Sequence, residues 1–254
     1  MDKYIIFVDI DGTIAEVGAR NIKQCIIDEI ERLKQIGHIL VVASGRTYNN
    51  IKCIKGMESF NYIGSMFGNI IFDENEDYVV TGKPMNETDV RKIAEISEKS
   101  GRSFIYKTMF VDKTFGTDER IRAFNNAVKV SREEFEKDMG NNAIFQMLCV
   151  GQVFPNVKEE FKNLEFFQMP GNYFDIIPKA NTKKNIVKYF KEKFPGYKTI
   201  AIGDSENDLA AFENADISIA MGNSSDEIKA AATYVTKPLS EDGFVYAFKE
   251  MLKL

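Results

Sequence analysis

The chain has 254 residues, 44% of them hydrophobic and 28% charged, enough apolar material for one large domain or two modest ones. A net charge of −5 gives no basic footprint for nucleic acid, and no apolar run reaches the roughly 20 residues that a membrane span needs. Cys25, Cys53 and Cys149 are odd in number, scattered and without Cys-x-x-Cys spacing. They read as buried thiols of a reducing compartment, and with no signal-peptide pattern before Tyr4 the expected location is cytoplasmic.

In chain order, the apolar run Tyr4–Val8 predicts a strand that releases into Asp9-Ile10-Asp11-Gly12-Thr13. Apolar residues at helical spacing predict a helix over 21–36, which Gly37 ends. The single His38 reads as a turn residue leading into the strand at 39–43, so the chemistry cannot rest on a histidine pair. That strand releases into Ser44-Gly45-Arg46-Thr47. A helix over 48–57, a strand near 61–64 and a hairpin over 69–80 follow. The β-α-β-α-β order and all-apolar strands predict an α/β fold with a doubly wound, Rossmann-like parallel sheet. The pattern then changes. Helices over 86–99 and from Ser131, with strands near 104–106, 143–148 and 174–177, predict a separate α+β insert over 82–178. The core, 1–81, resumes over 179–254 with a helix at 182–194 and a strand at 199–202. The latter enters Gly203-Asp204-Ser205-Glu206-Asn207-Asp208. Elements at 208–214, 217–220, 226–232, 234–235 and 243–252 complete it.

Open parallel sheets collect ligands at the carboxyl ends of their strands. An isolated Asp-x-Asp is more often a solvated turn than a site, because turns are rich in Asp and Gly. Two apolar strands that both release into acidic turns point instead to one cation site. Clustered carboxylates repel unless a cation or a proton intervenes, and an all-oxygen set suits Mg²⁺ together with a phosphate. Ser44 with the amides after it, and Lys183, can hold an anion's oxygens. Asp9 and Asp11 point the same way along an extended segment, so one carboxylate can attack phosphorus while the other moves protons. No Gly-x-x-x-x-Gly-Lys or Gly-x-Gly-x-x-Gly pattern supports nucleotide or hydride chemistry.

At these residues the chain resembles the haloacid dehalogenase-like (HAD) superfamily, in its Cof-type sugar-phosphatase branch. Asp9-Ile10-Asp11-Gly12-Thr13 is similar to motif one, Ser44-Gly45-Arg46 to motif two, Lys183 to motif three and Gly203–Asp208 to motif four. The resemblance implies an Mg²⁺-dependent phosphatase of small phosphorylated metabolites, sugar phosphates among them, working through an aspartyl-phosphate. Asp9 would be the nucleophile and Asp11 the general acid/base. Mg²⁺ would lie on Asp9, the Asp11 carbonyl and Asp204, and the phosphate on Ser44, Gly45, Lys183 and Asn207. Asp208 reads as a brace for its loop. The insert would be a cap that closes over the sheet edge and selects the leaving group. Phe145, Phe166, Phe167 and Phe174 are its candidate roof residues, against a core reading. Lys107 and Arg122 are candidates for a second anionic group, against a solvated-surface reading. Relatives often carry Asn-Gly-Ala where this chain has Phe67-Gly68-Asn69. A phosphomutase and a non-catalytic phosphometabolite-binding module are the alternatives on the same scaffold.

Overall fold

The computed structural model describes residues 2–115, 127–141, 143–153, 157–169 and 172–254. Fourteen strands are described: β1 Tyr4–Val8, β2 Ile39–Ala43, β3 Tyr62–Ser65, β4 Ile70–Asp73, β5 Tyr78–Val80, β6 Phe104–Lys107, β7 Asp112–Phe115, β8 Val128–Lys129, β9 Gln146–Val150, β10 Leu164–Met169, β11 Tyr173–Pro178, β12 Lys198–Gly203, β13 Ile217–Ala220 and β14 Tyr234–Val235. They divide between two compact units. The first comprises residues 1–46, 51–81 and 182–254, and the second residues 47–50 and 82–181.

The first unit is built on an eight-stranded sheet of order β14-β13-β12-β1-β2-β3-β4-β5. It is parallel from β14 to β3, and the β3-β4-β5 meander is antiparallel. This is the expected doubly wound α/β fold. β1 to β3 build outward on one side of β1, while β12 to β14 build outward on the other. The order therefore reverses between β1 and β12, the place where such sheets bind ligands. Both faces are covered, so the central strands are apolar throughout. Ile6, Val8, Leu40, Val42, Ile200 and Ile202 pack with the helix Gln24–Gln35 and the C-terminal segment. Ile5, Phe7, Val41 and Ala201 face the helix Lys184–Lys193. There Phe190 is fully buried, with its ring 5.8 Å from Phe7 and 4.8 Å from Tyr62.

The second unit has a six-stranded sheet, β10-β11-β9-β6-β7-β8, antiparallel except where β8 joins β7. One face packs against the helices Glu87–Lys99 and Arg132–Gly140, and Val90, Ile93, Phe135 and Met139 meet Phe104, Tyr106, Met147 and Phe174 in a single core. Side-chain caps fix both helix starts: Asn86 accepts the Thr88 amide and Ser131 the Glu134 amide. Residues 47–50 are tied in by the Asn49 amide on the Phe110 carbonyl and by Asn50 on Asp112.

Several expectations need correction. The helix expected over 48–57 stops at Lys52; Lys55 then bridges Asn21, and Gly56 turns left-handed at φ 103° ahead of a short 3-10 turn. The helix expected over 208–214 is the short Leu209–Phe212, and the C-terminal helix becomes a π turn over Ala247–Met251. The insert has six described strands rather than three. Of the thiols expected to be buried, only Cys149 is so, while Cys25 is half-buried and Cys53 exposed. Phe166 and Phe174 belong to the helix-side core, Phe145 is also buried, and Phe167 is half-buried on the opposite sheet face. Lys107 is half-buried rather than solvated. Arg122 lies outside the described residues. No helix among the described residues is long and apolar enough to cross a membrane.

Phe190→Ala removes a fully buried ring from the core of the first unit. A loss of about 3–5 kcal/mol is expected, read as a lower urea midpoint.

Candidate active site

β1 and β12 run parallel and in register, Val8 beside Ile202, so Asp9 and Gly203 leave the sheet at one edge. The Asp9 amide still donates to the Ile202 carbonyl at 3.1 Å, which continues the ladder, and Asp9 is 5% exposed. Lys183, which directly precedes the helix Lys184–Lys193, is 1% exposed. Its Nζ donates to Asp9 Oδ1 and Asp208 Oδ1, each at 2.6 Å. Asp208 Oδ2 in turn accepts the amides of Asp204 and Ser205 at 3.0 Å, which closes the motif-four turn. Asp208 thus braces the loop, as its position suggested. Gly203 makes this possible, since a Cβ there would lie 2.2 Å from the Asp208 carboxyl carbon.

Carboxylate oxygens of Asp9, Asp204 and Asp208 lie within 4.8 Å of one another. Asp204 Oδ1 is buried and has no hydrogen-bond partner, and the same holds for Asn207 Oδ1, Thr13 Oγ1 and Thr182 Oγ1 in the flanking loops. Buried oxygens without donors, beside clustered carboxylates, fit a hard divalent cation. Because Asp208 is committed to Lys183 and two amides, Asp9 and Asp204 are the carboxylates best placed to hold it. Gly12 lets the first loop approach. Its φ is +79°, and a Cβ would lie 2.1 Å from Asp204 Oδ2.

The other expected residues fall in the neighbouring loops. Ser44 follows β2, which pairs directly with β1; it is buried, and its Oγ accepts the Arg46 amide. Gly45 lies against the Phe67 ring. Phe67, left-handed at φ 63°, donates its amide to the Ser44 carbonyl at 2.7 Å, so the unusual Phe67-Gly68-Asn69 turn braces motif two. Asn207 sits in the 3-10 turn Glu206–Asp208, half-buried. Asp11 departs from the carboxylate cluster. Arg46 grips its side chain bidentately, at 2.8 Å from Nε and 2.5 Å from a terminal nitrogen.

Sequence reasoning quoted Arg46 but gave it no role, and it missed Asn223. The Asn223 Nδ2 donates to the Gly12 carbonyl at 2.9 Å and, more weakly, to Asp204 Oδ2 at 3.4 Å. The signal was present in Met221-Gly222-Asn223, a polar turn at the end of β13.

Burial raises the Asp9 carboxyl above the ordinary range; Lys183 opposes this, while Asp208 and Asp204 add to it. Asp204 is pushed up to about 7, by burial first and Asp208 second. Burial alone would lower the Lys183 ammonium, but Asp208 and Asp9 more than offset it and keep the group charged.

The chain belongs to the haloacid dehalogenase-like hydrolases, whose family model matches residues 6–248. It is 29% identical to YkrA of Bacillus subtilis (strain 168), which carries a provisional phosphatase name, over 99% of this chain and 98% of that one. It is 25% identical to the 5-amino-6-(5-phospho-D-ribitylamino)uracil phosphatase YitU of the same organism, again over 99% and 98%. Among solved structures, the HAD subclass IIB sugar phosphatase BT4131 superposes with a TM-score of 0.82 at 25% identity, covering 99% of this chain and 100% of that one.

Asp9 and Asp204 make the cation-free protein sensitive to pH. A carboxyl whose folded-state pKa lies above its unfolded value of about 3.9 contributes stability that is complete below that value and lost as pH rises through the folded pKa. In chelator, Tm is therefore expected to fall as pH rises from about 4 through about 7. The fall should be shallower in Asp204→Asn and largely reversed by a divalent cation, as read by thermal unfolding at each pH. Gly12→Ala is expected to weaken that cation's stabilising effect, because the added methyl displaces Asp204.

Proposed function

We propose that the protein is a Mg²⁺-dependent phosphoric monoester hydrolase that acts on small phosphorylated metabolites through an aspartyl-phosphate on Asp9. The observation that carries this reading is the buried Lys183 ammonium 2.6 Å from Asp9, with Asp204 within reach, at the switch point of the sheet. The names of two relatives, a sugar phosphatase and a phosphoribitylaminouracil phosphatase, support a small phosphorylated substrate.

Asp9, Asp204 and the Asp11 carbonyl would hold Mg²⁺, which when bound supplies positive charge against that of the phosphate dianion. Ser44, the Gly45 amide, Lys183 and Asn207 hold the phosphate oxygens and set the phosphorus in line with Asp9. An Asp9 oxygen forms the new bond to phosphorus as the ester P–O bond breaks. Asp11 gives its proton to the leaving oxygen. It then takes a proton from water, whose oxygen attacks phosphorus and frees Asp9. Arg46 holds both Asp11 oxygens in this structure, so Asp11 leaves that pair and takes up a proton before it serves the departing group. The second unit, whose main segment 82–181 is inserted in the chain between Thr81 and Thr182, serves as the substrate-selecting cap.

Asp9→Asn is expected to lower kcat for an aryl phosphate by at least about 10³-fold, and chelator should abolish turnover until Mg²⁺ is restored. Asp11→Asn is expected to cost about 10²–10⁴-fold, with the smaller loss on substrates whose leaving group is already acidic. Phosphate release across a series of leaving groups checks both. Undiminished activity in Asp9→Asn would overturn the assignment.

A further inference from the structure

Asn223 stands in the exposed turn after β13, and its side chain ties three separate segments together. Its Oδ1 accepts the Leu239 amide at 2.9 Å, from the segment that follows β14. Its Nδ2 donates to the Gly12 carbonyl at 2.9 Å and reaches Asp204 Oδ2 at 3.4 Å. The Leu239 amide can only donate, so it fixes which way round the Asn223 amide lies and turns the two Nδ2 hydrogens toward the first and fourth loops. Leu239 is itself placed by its neighbours: Gly222 donates its amide to the Lys237 carbonyl, and Lys23, just before the helix Gln24–Gln35, donates to the Leu239 carbonyl. A turn asparagine ordinarily bonds backbone two residues on. The three partners here are 211, 19 and 16 residues away, so closure of its own turn does not account for this side chain.

Both groups that Nδ2 meets border the cation site. The two oxygens of Asp204 have different surroundings. Oδ2 lies against Gly12 and Asn223, whereas Oδ1 is buried without a hydrogen-bond partner. A carboxylate with one oxygen held by a donor keeps the other aimed in one direction, as hydrogen bonds from outside a metal site do for its ligands. At Gly12 the constraint falls on the backbone. Its amide donates to the Ala15 carbonyl at 2.8 Å, and its carbonyl accepts from Asn223. The Gly12 amide shares a planar trans peptide with the Asp11 carbonyl, so holding Gly12 at both ends holds the direction of that carbonyl. A glycine at φ +79° has no side chain to pack and needs such a restraint.

We infer that Asn223 is a positioning residue of the cation site: through Asp204 and the Gly12 peptide it sets how tightly the site holds a divalent cation. It touches neither the cation nor the phosphate. The inference rests on the Mg²⁺ reading of Asp9, Asp204 and the Asp11 carbonyl, and adds to it a residue from a fourth strand end.

The test is calorimetric titration of the native chain and Asn223→Ala with Mg²⁺ alone, without substrate, beside thermal unfolding in chelator and in Mg²⁺. The substitution is expected to raise the Kd for Mg²⁺ by about 10–100-fold and to shrink the rise in Tm that Mg²⁺ gives. Asn223 is exposed, so Tm in chelator should stay near the native value. In turnover of an aryl phosphate, the Mg²⁺ concentration for half-maximal rate should rise by the same factor. At saturating Mg²⁺, kcat and the KM for the ester should return to near native. Asn223→Gln carries the same amide one methylene further out; it should fall between the two chains, and it serves if the alanine variant does not fold. An unchanged Kd for Mg²⁺ in the variants, while the native chain binds the ion, overturns the inference alone. So does an equal fall of Tm in chelator and in Mg²⁺, the mark of a structural brace, or a loss confined to the KM for the ester. Failure of the native chain itself to bind Mg²⁺ would overturn the metal reading and this inference with it.

Discussion

The rest of the first unit depends on one buried ammonium. Lys183 is taken out of water between Asp9 and Asp208 at 2.6 Å from each, and charges desolvated in this way tolerate no missing partner. Removing one member of such a set costs about 3–5 kcal/mol, because the others stay buried and uncompensated. Asp9 follows β1, Asp208 follows β12, and Lys183 returns from the far side of a hundred-residue insertion. The contact therefore joins segments 174 residues apart. The doubly wound sheet delivers these loops to one edge, and the ion set then holds them together there.

Small backbone features serve the same end. Gly203 admits the Asp208 carboxylate, and Gly12 admits that of Asp204. The left-handed Met66 and Phe67 store strain of about 1–3 kcal/mol each, and in return Met66 and Phe67 donate their amides to the Arg46 and Ser44 carbonyls. In the second unit the same tension takes another form. Its helix-side core is conventionally apolar, while the opposite face keeps the polar Gln146 and Asp175 buried. Local rules of this kind are broken where function requires it.

Much of this was legible in the sequence, and the rest was hidden for physical reasons. Tyr4–Val8 and Thr199–Ile202 are continuous apolar runs, so a parallel sheet covered on both faces, and its acidic strand ends, could be read directly. Lys183 was less legible, because a Lys-Lys pair at a helix start looks like solvated surface until tertiary structure buries it. Arg46 and Asn223 reach partners 35 and 211 residues away, and nothing local in the chain encodes such contacts. β7 and β8 carry no strand signal, because Asp112-Lys113-Thr114 and Val128-Lys129 are short and poor in apolar residues. The helix expected to reach residue 57 ends at Lys52, ahead of the bridge between Asn21 and Lys55, a contact that no periodicity argument anticipates.

The central claim is that phosphorus becomes covalently attached to Asp9. Acid quench during turnover of a phosphate ester, reduction of the trapped acyl-phosphate with borohydride, and peptide mass spectrometry test it most directly. The account predicts a reduced residue at position 9 alone, formed only when substrate and Mg²⁺ are both present. Turnover with position 9 unmodified, or modification at another carboxylate, would contradict it.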